Sequence, residues 1–170
     1  MRKPFNFQAW IDDHRHELKP PVGNKQVFLD NEDFIVMVVG GPNGRKDYHW
    51  EEGEELFYQL EGNITVRIIN DDGQPEDIKI REGEMFLLPP KVPHSPQRPA
   101  GSIGLVIERY RRENENDKLM WFCENCNHKL HEATFEMTDI VKQLPVAMNA
   151  FMENESLRTC DECGTVMEPA

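Results

Sequence analysis

No stretch of this chain approaches the roughly 18 consecutive apolar residues that a membrane span requires. Its opening, MRKPFNFQAWIDDHRHELKP, also lacks the uninterrupted apolar run of a secretory leader. The expectation is therefore a soluble, cytoplasmic protein with no membrane partner. Positive charge is scarce as well: 19 Lys and Arg stand against 31 Asp and Glu, a formal net charge of -12. Such a surface repels phosphate backbones over most of its area, so nucleic acid is not an expected partner. Cysteine is rare and confined to the last third of the chain, as two Cys-x-x-Cys pairs, Cys123/Cys126 and Cys160/Cys163. In a reducing compartment that spacing reads as metal ligation before disulfide formation. No internal repeat is visible, and 170 residues suffice for one sizeable core with an appendage but not for two full domains.

Helical periodicity is missing from the middle of the chain. Near the start, Asn6 can cap a short helix whose apolar positions are Phe7, Trp10, Ile11 and Leu18, with Pro20 and Pro21 as the stop. Such a helix is expected to pack on the outside of the core. From Val27 to Ile107 the pattern becomes short β-branched and aromatic runs: VFL, FIVMVV, ELFYQL, ITVRII, IKI, MFLLP and IGLVIE. NDDG at Asn70 to Gly73 signals a hairpin, and the close succession of strands predicts an all-β sandwich or barrel. RRENENDK, Arg111 to Lys118, offers nothing apolar and reads as a solvated linker. Beyond it lie CENC, a stretch with helical spacing around Pro145, and CDEC. The expected division is 1–112 for the β domain with its helix and 113–170 for linker, helical segment and cysteine module.

Chemistry concentrates in DYHWEEGEELFYQLEG. His49 and Glu55 would stand about 20 Å apart on one straight strand at roughly 3.3 Å per residue, so they can share an ion only if the chain reverses between them. Gly53 in EEGE can supply that reversal with a positive φ, leaving His49 to end one strand and Glu55 to begin the next. A third ligand must come from a distant strand, and His94 is the candidate, stiffened by Pro89, Pro90, Pro93 and Pro96. Two imidazoles and one carboxylate with open positions form the donor set of oxygen-activating non-haem Fe(II) sites. Taken singly, a histidine in a strand is more often a core or surface residue, and glutamates around a glycine are usually a wet turn. Glu51, Glu52 and Glu54 are read that way, with Glu51 as a fallback ligand, and His14 and His16 as solvated residues of the first helix. The four cysteines suit one tetrahedral zinc or rubredoxin-like iron site, closed to substrate and therefore structural. His128 and His131 could replace a ligand, but four thiolates already suffice.

These residues resemble the two cupin motifs: His49, Glu51, Glu55 and Gly62 for the first, Gly83, Pro89, Lys91 and His94 for the second. Glu51 stands where many cupins have a second histidine, and Arg98 where many have asparagine. Those departures, with KPPVGN, VVGGPNGRKDYH, EELFYQLEGN, FLLPPKVPHSPQRP, GLVIERYR and the cysteine pairs, are similar to the 3-hydroxyanthranilate 3,4-dioxygenase family in its bacterial and fungal form. The resemblance implies a cupin, that is, a double-stranded β-helix or jelly-roll barrel, carrying Fe(II) on His49, Glu55 and His94. It implies opening of the ring of 3-hydroxyanthranilate by O2 in tryptophan catabolism. The product would be 2-amino-3-carboxymuconate semialdehyde, which cyclises to quinolinate, a precursor of NAD. Arg45 and Arg98 match the family's carboxylate-binding arginines, a role suited to bidentate guanidinium contacts. Glu108, closing an apolar run, must be paired with Arg109 or Arg111 or reach a cavity. The resemblance gives it contact with the substrate's hydroxyl or amino group and a role in proton handling. Val22 and Asn24 would belong to a loop that closes over substrate, and the family suggests a homodimer. Two other readings stay open from the residues alone: a metal-binding cupin acting as sensor or scaffold, and a cupin dioxygenase of another aminophenol.

Overall fold

Short β-branched and aromatic runs can satisfy their backbone groups and bury their side chains only by pairing. In the computed structural model, which describes residues 3–20, 23–30, 32–137 and 140–169, they do so as two antiparallel sheets. The strands are β1 (Asn24–Gln26), β2 (Phe34–Gly40), β3 (Asp47–Trp50), β4 (Glu55–Glu61), β5 (Ile64–Ile69), β6 (Pro75–Ile80), β7 (Met85–Leu88), β8 (His94–Gln97), β9 (Ile103–Arg109), β10 (Asp117–Phe122) and β11 (Lys129–Phe135). The helices are α1 (Phe7–His14), α2 (Ile140–Met152) and α3 (Glu155–Arg158). One sheet runs β1-β2-β9-β4-β7 and the other β11-β10-β3-β8-β5-β6. This is the jelly-roll arrangement expected, and among the described residues no helix is long and apolar enough to cross a membrane.

The space between the sheets is filled by the inward positions of alternating strands, among them Ile35, Met37, Phe57, Val66, Leu88 and Val106. Each fully buried side chain of this size stabilises the fold by about 1.5–3 kcal/mol. Asn6 caps α1 by accepting from the Ala9 amide, and the helix lays Ile11 on Val38 and Ile103 outside the five-stranded sheet. It ends at His14, earlier than its apolar spacing suggests, and Leu18 reaches the same cluster from the following turn. The strand expected at VFL lies just before it, at β1, because Asn24 to Gln26 take the positions opposite Met37 to Val39, and Leu29 is exposed. NDDG does make the β5–β6 hairpin: Gly73 adopts φ +73°, and Asn70 Oδ1 accepts from the amides of Asp72 and Gln74.

Two features depart from the expected pattern. The charged run is solvated only in its middle: Arg112, Glu113, Asn114 and Asn116 are exposed, whereas Asp117 is fully buried, the Arg111 side chain nearly so, and β10 starts at Asp117. Charges that are fully paired can be buried without apolar neighbours, which composition alone does not reveal. The cysteine-bearing segment also joins the barrel directly, since β10 pairs with β3 over four residues, from Lys118 opposite Trp50 to Trp121 opposite Asp47. Behind β10, Trp121 stacks on Phe151 of α2 at 4.3 Å between centroids, within a cluster completed by Leu119 and Met167.

The outer face of the five-stranded sheet carries an apolar row, with Val36, Ile107, Leu56 and Leu87 opposite one another on successive strands. Phe34, Met85 and Leu87 on that sheet are more than half exposed.

Candidate metal centre

His49 and His94 are register partners on adjacent strands β3 and β8, with ring centroids 5.3 Å apart. Glu55 opens β4 in the opposite sheet, beside Glu108 of β9. The segment between His49 and Glu55 thus crosses from one sheet to the other rather than closing a hairpin. Gly53 is accordingly not among the glycines with positive φ, contrary to expectation. What it supplies is room: a Cβ there would stand 3.1 Å from Glu51 Oε2. One ligand atom from each of His49, Glu55 and His94 falls within 4.8 Å of the others, and all three residues are buried.

The donor chemistry fits a cation. His94 Nδ1 lies 3.0 Å from the Val92 carbonyl, which can only accept, so in the neutral ring Nε2 carries the lone pair. Nε2 is 2.7 Å from Glu55 Oε2, an oxygen that receives no hydrogen bond. Two lone pairs that close repel unless positive charge lies between them. Burial opposes ionisation of both groups, yet each one's attraction for the other prevails: the pKa of His94 is raised and that of Glu55 lowered. Around this centre the buried carboxyl groups of Asp47, Glu55, Glu108 and Asp117 outnumber by one the described guanidinium groups of Arg45, Arg98 and Arg111, while burial keeps a fifth carboxyl, Glu51, protonated. A divalent ion offsets that excess.

A cavity of about 90 Å³ opens over the centre, lined by Asn24, Arg45, Arg98 and Glu108 and walled by Met37, Val39, Phe57, Val106 and Leu144. It is far below the roughly 300–1,000 Å³ of drug-sized pockets, so only a small molecule fits. A larger cleft of about 620 Å³ lies between Arg67, Asn125 and Met167, lined by neither His49, Glu55 nor His94. The two arginines differ. Arg45 is already engaged by both oxygens of Asp47, whose attraction outweighs burial and raises its pKa. Arg98 is buried, its Nη1 has no acceptor, and burial lowers its pKa to about 10 against the pull of Glu55. An anion entering the cavity would therefore meet an unsatisfied guanidinium at Arg98.

Glu108 does both things expected of it. Its Oε2 accepts from Arg111 at 2.8 Å, while its Oε1 receives no hydrogen bond. Arg109 turns instead to Glu115. Glu51 is not a wet-loop residue: it is buried, with Arg111 Nη1 3.0 Å from its Oε2. Burial, and then the neighbouring Glu108, push its pKa up to about 11. Glu54 stays exposed, and Glu52 pairs with Lys91. His16 is exposed as expected, whereas His14 is partly covered, stacked on Trp10 and 2.7 Å from its carbonyl. Asn24 lines the cavity, and Val22 lies outside the described residues.

Asp47, Gly104, Leu144 and Asp117 escaped sequence reasoning, which reaches Arg111 only as an alternative partner of Glu108. Gly104 had a signal, since glycine inside an apolar strand marks a close approach. A Cβ at that position would stand 2.8 Å from Arg98 Nη1.

The four cysteines form a separate cluster, with Sγ atoms 3.6 Å apart for Cys123 and Cys163 and 3.5 Å for Cys126 and Cys160. The two pairs occupy matching turns. The amides of Asn127 and Gly164 donate to the carbonyls of Cys123 and Cys160, and both residues have left-handed φ, 60° and 72°. His131 stacks on Trp121, and neither it nor His128 belongs to the thiolate cluster.

A family model described as 3-hydroxyanthranilic acid dioxygenase matches residues 1–152. Among curated relatives, a 3-hydroxyanthranilate 3,4-dioxygenase of Xanthomonas euvesicatoria is 58% identical over 95% of this chain and 90% of its own length. Another from Burkholderia cenocepacia is 53% identical over 96% of this chain and 92% of its own. Among solved structures, a cupin-2 domain containing protein from Shewanella frigidimarina is similar at a TM-score of 0.45 and 18% identity, over 61% of this chain and 97% of that one.

Proposed function

The chain belongs to the 3-hydroxyanthranilic acid dioxygenase family, and from that premise we propose that His49, Glu55 and His94 hold a catalytic Fe(II) beneath a carboxylate-binding cavity. The protein is a ring-cleaving dioxygenase that converts 3-hydroxyanthranilate and O2 to 2-amino-3-carboxymuconate semialdehyde, the precursor of quinolinate. One observation carries the assignment of residues: the unpaired, buried guanidinium of Arg98 opens into the same small cavity as the His49, Glu55 and His94 cluster.

When bound, the ferrous ion supplies the means for an electron-rich aromatic ring to react with O2. The chain's own residues do the rest. Arg98 binds the substrate carboxylate as its first full partner, and Arg45, steadied by Asp47, adds a second positive edge. That anchor sets the ring's hydroxyl and amino groups toward the metal. Glu108, with Oε2 fixed by Arg111, keeps Oε1 available to accept a hydrogen bond from the hydroxyl or amino group and to take its proton. Met37, Val39, Phe57 and Leu144 exclude water from the ring faces. Asn24 lines the cavity, and with Val22 it would belong to a closing loop.

The four thiolates hold a second ion, iron or zinc, as a structural closure of the tail. Residues 1–112 then carry the metal ligands and the polar substrate contacts, and 113–170 the closure together with the Leu144 wall of the cavity, joined by the β3–β10 pairing. The apolar row on the outer sheet face supports a homodimer, since a single chain leaves much of it in water. The net charge of -12 and the free thiols suit the cytoplasm.

The test is anaerobic Fe(II) loading followed by O2 and 3-hydroxyanthranilate. The semialdehyde absorbance should appear and give way to quinolinate. Full iron occupancy without oxygen uptake would overturn the reading, and binding of the acid without product would favour a sensor. A faster reaction with an aminophenol lacking the carboxylate would move the substrate.

A further inference from the structure

The six-stranded sheet has a second polar face behind the metal centre. His49 and His94 turn inward, so strand alternation turns their neighbours Tyr48 and Ser95 to the outer face. Arg67 stands opposite Ser95, and Asp77 opposite Arg67, which carries one polar row across β3, β8, β5 and β6. An outer sheet face is ordinarily wet, yet Tyr48 is only 8% exposed and Ser95 1%. β10 and the first cysteine turn supply the cover. Phe122 stands edge-on to the Tyr48 ring at 5.2 Å, and Asn127 Nδ2 donates to the Gly73 carbonyl at 2.7 Å. Lys46 Nζ ties the tail down at Glu124, 3.0 Å away, and at the Glu168 carbonyl, 3.1 Å away. Between cover and sheet lies the cleft of about 620 Å³, lined on its apolar side by Phe122 and Met167.

The floor of this cleft has donors to spare. The Tyr48 hydroxyl makes no hydrogen bond among the described residues, although Arg67 and Asp77 are the charges that act on it. Packing on Ile69, Met120 and Phe122 explains the ring but not its oxygen. Phenylalanine would fill the same space, and a buried tyrosine ordinarily pairs its hydroxyl. Arg67 spends Nε and Nη2 on Asp77, which leaves Nη1 without an acceptor among the described residues. Ser95 Oγ accepts from Gln97 at 2.9 Å and keeps its own O–H to give. The carboxylates that line the cleft are taken, Asp77 by Arg67 and Glu124 by Lys46. Unspent donors on one side and an aromatic ring with a thioether on the other match an oxyanion head on a flat apolar body. We propose that the cleft is a second ligand site, which takes a small aromatic carboxylate with its head on Tyr48 and Arg67. Its volume lies within the roughly 300–1,000 Å³ of small-molecule sites.

The experiment is titration calorimetry on the full chain with both metal sites filled and oxygen absent. The probes are 2-naphthoate, an aromatic carboxylate, and inorganic phosphate, an oxyanion without a ring. One saturable site per chain is expected for 2-naphthoate, and it should persist in Arg98→Met, which lacks the anchor of the metal cavity. Tyr48→Phe, which removes a single oxygen, should weaken binding roughly 2- to 12-fold, and Arg67→Met roughly 12- to 150-fold, the fold-changes of a neutral and a charged hydrogen bond. Oxygen uptake with substrate should match wild type in Arg67→Met, whose side chain does not line the metal cavity. No saturable binding up to about 1 mM overturns the proposal. So does binding that is lost in Arg98→Met but unchanged in Tyr48→Phe and Arg67→Met, since the probe would then sit in the metal cavity. Binding of phosphate without 2-naphthoate overturns the ligand class. None of these outcomes bears on ring cleavage, which oxygen uptake reads separately.

Discussion

Replacing Arg98 by methionine should raise stability and remove activity together. Burial pushes this guanidinium down to about 10, well below the value of a free arginine. At pH 7, below both values, the folded state therefore bears a penalty on the order of 3 kcal/mol for keeping the group charged. The sign follows from linkage: between the two values the unfolded chain binds the extra proton, so this penalty lifts only in strong alkali. Methionine fills part of the volume without the charge, and after some loss of packing a net gain of about 1–2 kcal/mol is expected. For a chain of this size that corresponds to roughly 2–8 °C in melting temperature. Substrate binding moves the other way. Losing charge-assisted hydrogen bonds to a carboxylate should lower kcat/KM by at least about a hundredfold, near 3 kcal/mol. Both arms are measured at matched iron content, by thermal unfolding and by oxygen-uptake kinetics. A variant that melts below wild type, or keeps kcat/KM within about fivefold, refutes the assignment of Arg98 as a strained anion anchor.

Gly104→Ala should injure the same contact indirectly, because its Cβ would crowd Arg98 Nη1 at 2.8 Å and Gln59 Oε1 at 2.7 Å. A loss of roughly tenfold in kcat/KM, about 1.4 kcal/mol, is expected with iron content unchanged by elemental analysis. Cys160→Ser should release the ion of the thiolate cluster and loosen the packing of Trp121 on Phe151, seen as a lower melting point and a weaker near-UV signal. Because Leu144 of α2 walls the cavity, KM should rise in that variant even when the catalytic iron is full. Glu115 is held down to about 2 by its hydrogen bonds with Arg109. A carboxylate lowered in the folded state adds stability above its unfolded value, near 4.3, that is lost as pH falls toward 2. Urea midpoints of wild type should therefore drop more steeply across that window than those of Glu115→Gln.

Much of the barrel was legible because strands with one buried face repeat every two residues, as Ile64, Val66 and Ile68 do. The trio His49, Glu55 and His94 was legible for another reason: a histidine ending one strand, a glutamate opening the next and a histidine in a proline-stiffened turn have few other common uses. The surrounding polar shell was not. Glu51, Arg111 and Asp117 look like solvated charges in sequence, and only the pairing of both carboxyl groups with one guanidinium, across two separate segments, makes burial tolerable. Local composition cannot encode a pairing between residues sixty positions apart, as Glu51 and Arg111 are. Gly53 shows the converse limit: its presence marked a change of direction, but not that the chain was changing sheets. Leu144 could not be foreseen, since its helix meets the cavity only after the tail has folded back.

The β3–β10 pairing has a consequence for any attempt to divide this protein. β3 is in register with β8 at the single pair His49 and His94, but is paired with β10 over four residues. A chain ended before β10 would leave the strand bearing His49 as an open edge, free to pair with another copy. Such a truncation would present as loss of iron and as aggregation from the same missing strand. Adding β10 back as a separate peptide could restore both, making the tail a complementing fragment rather than a detachable domain.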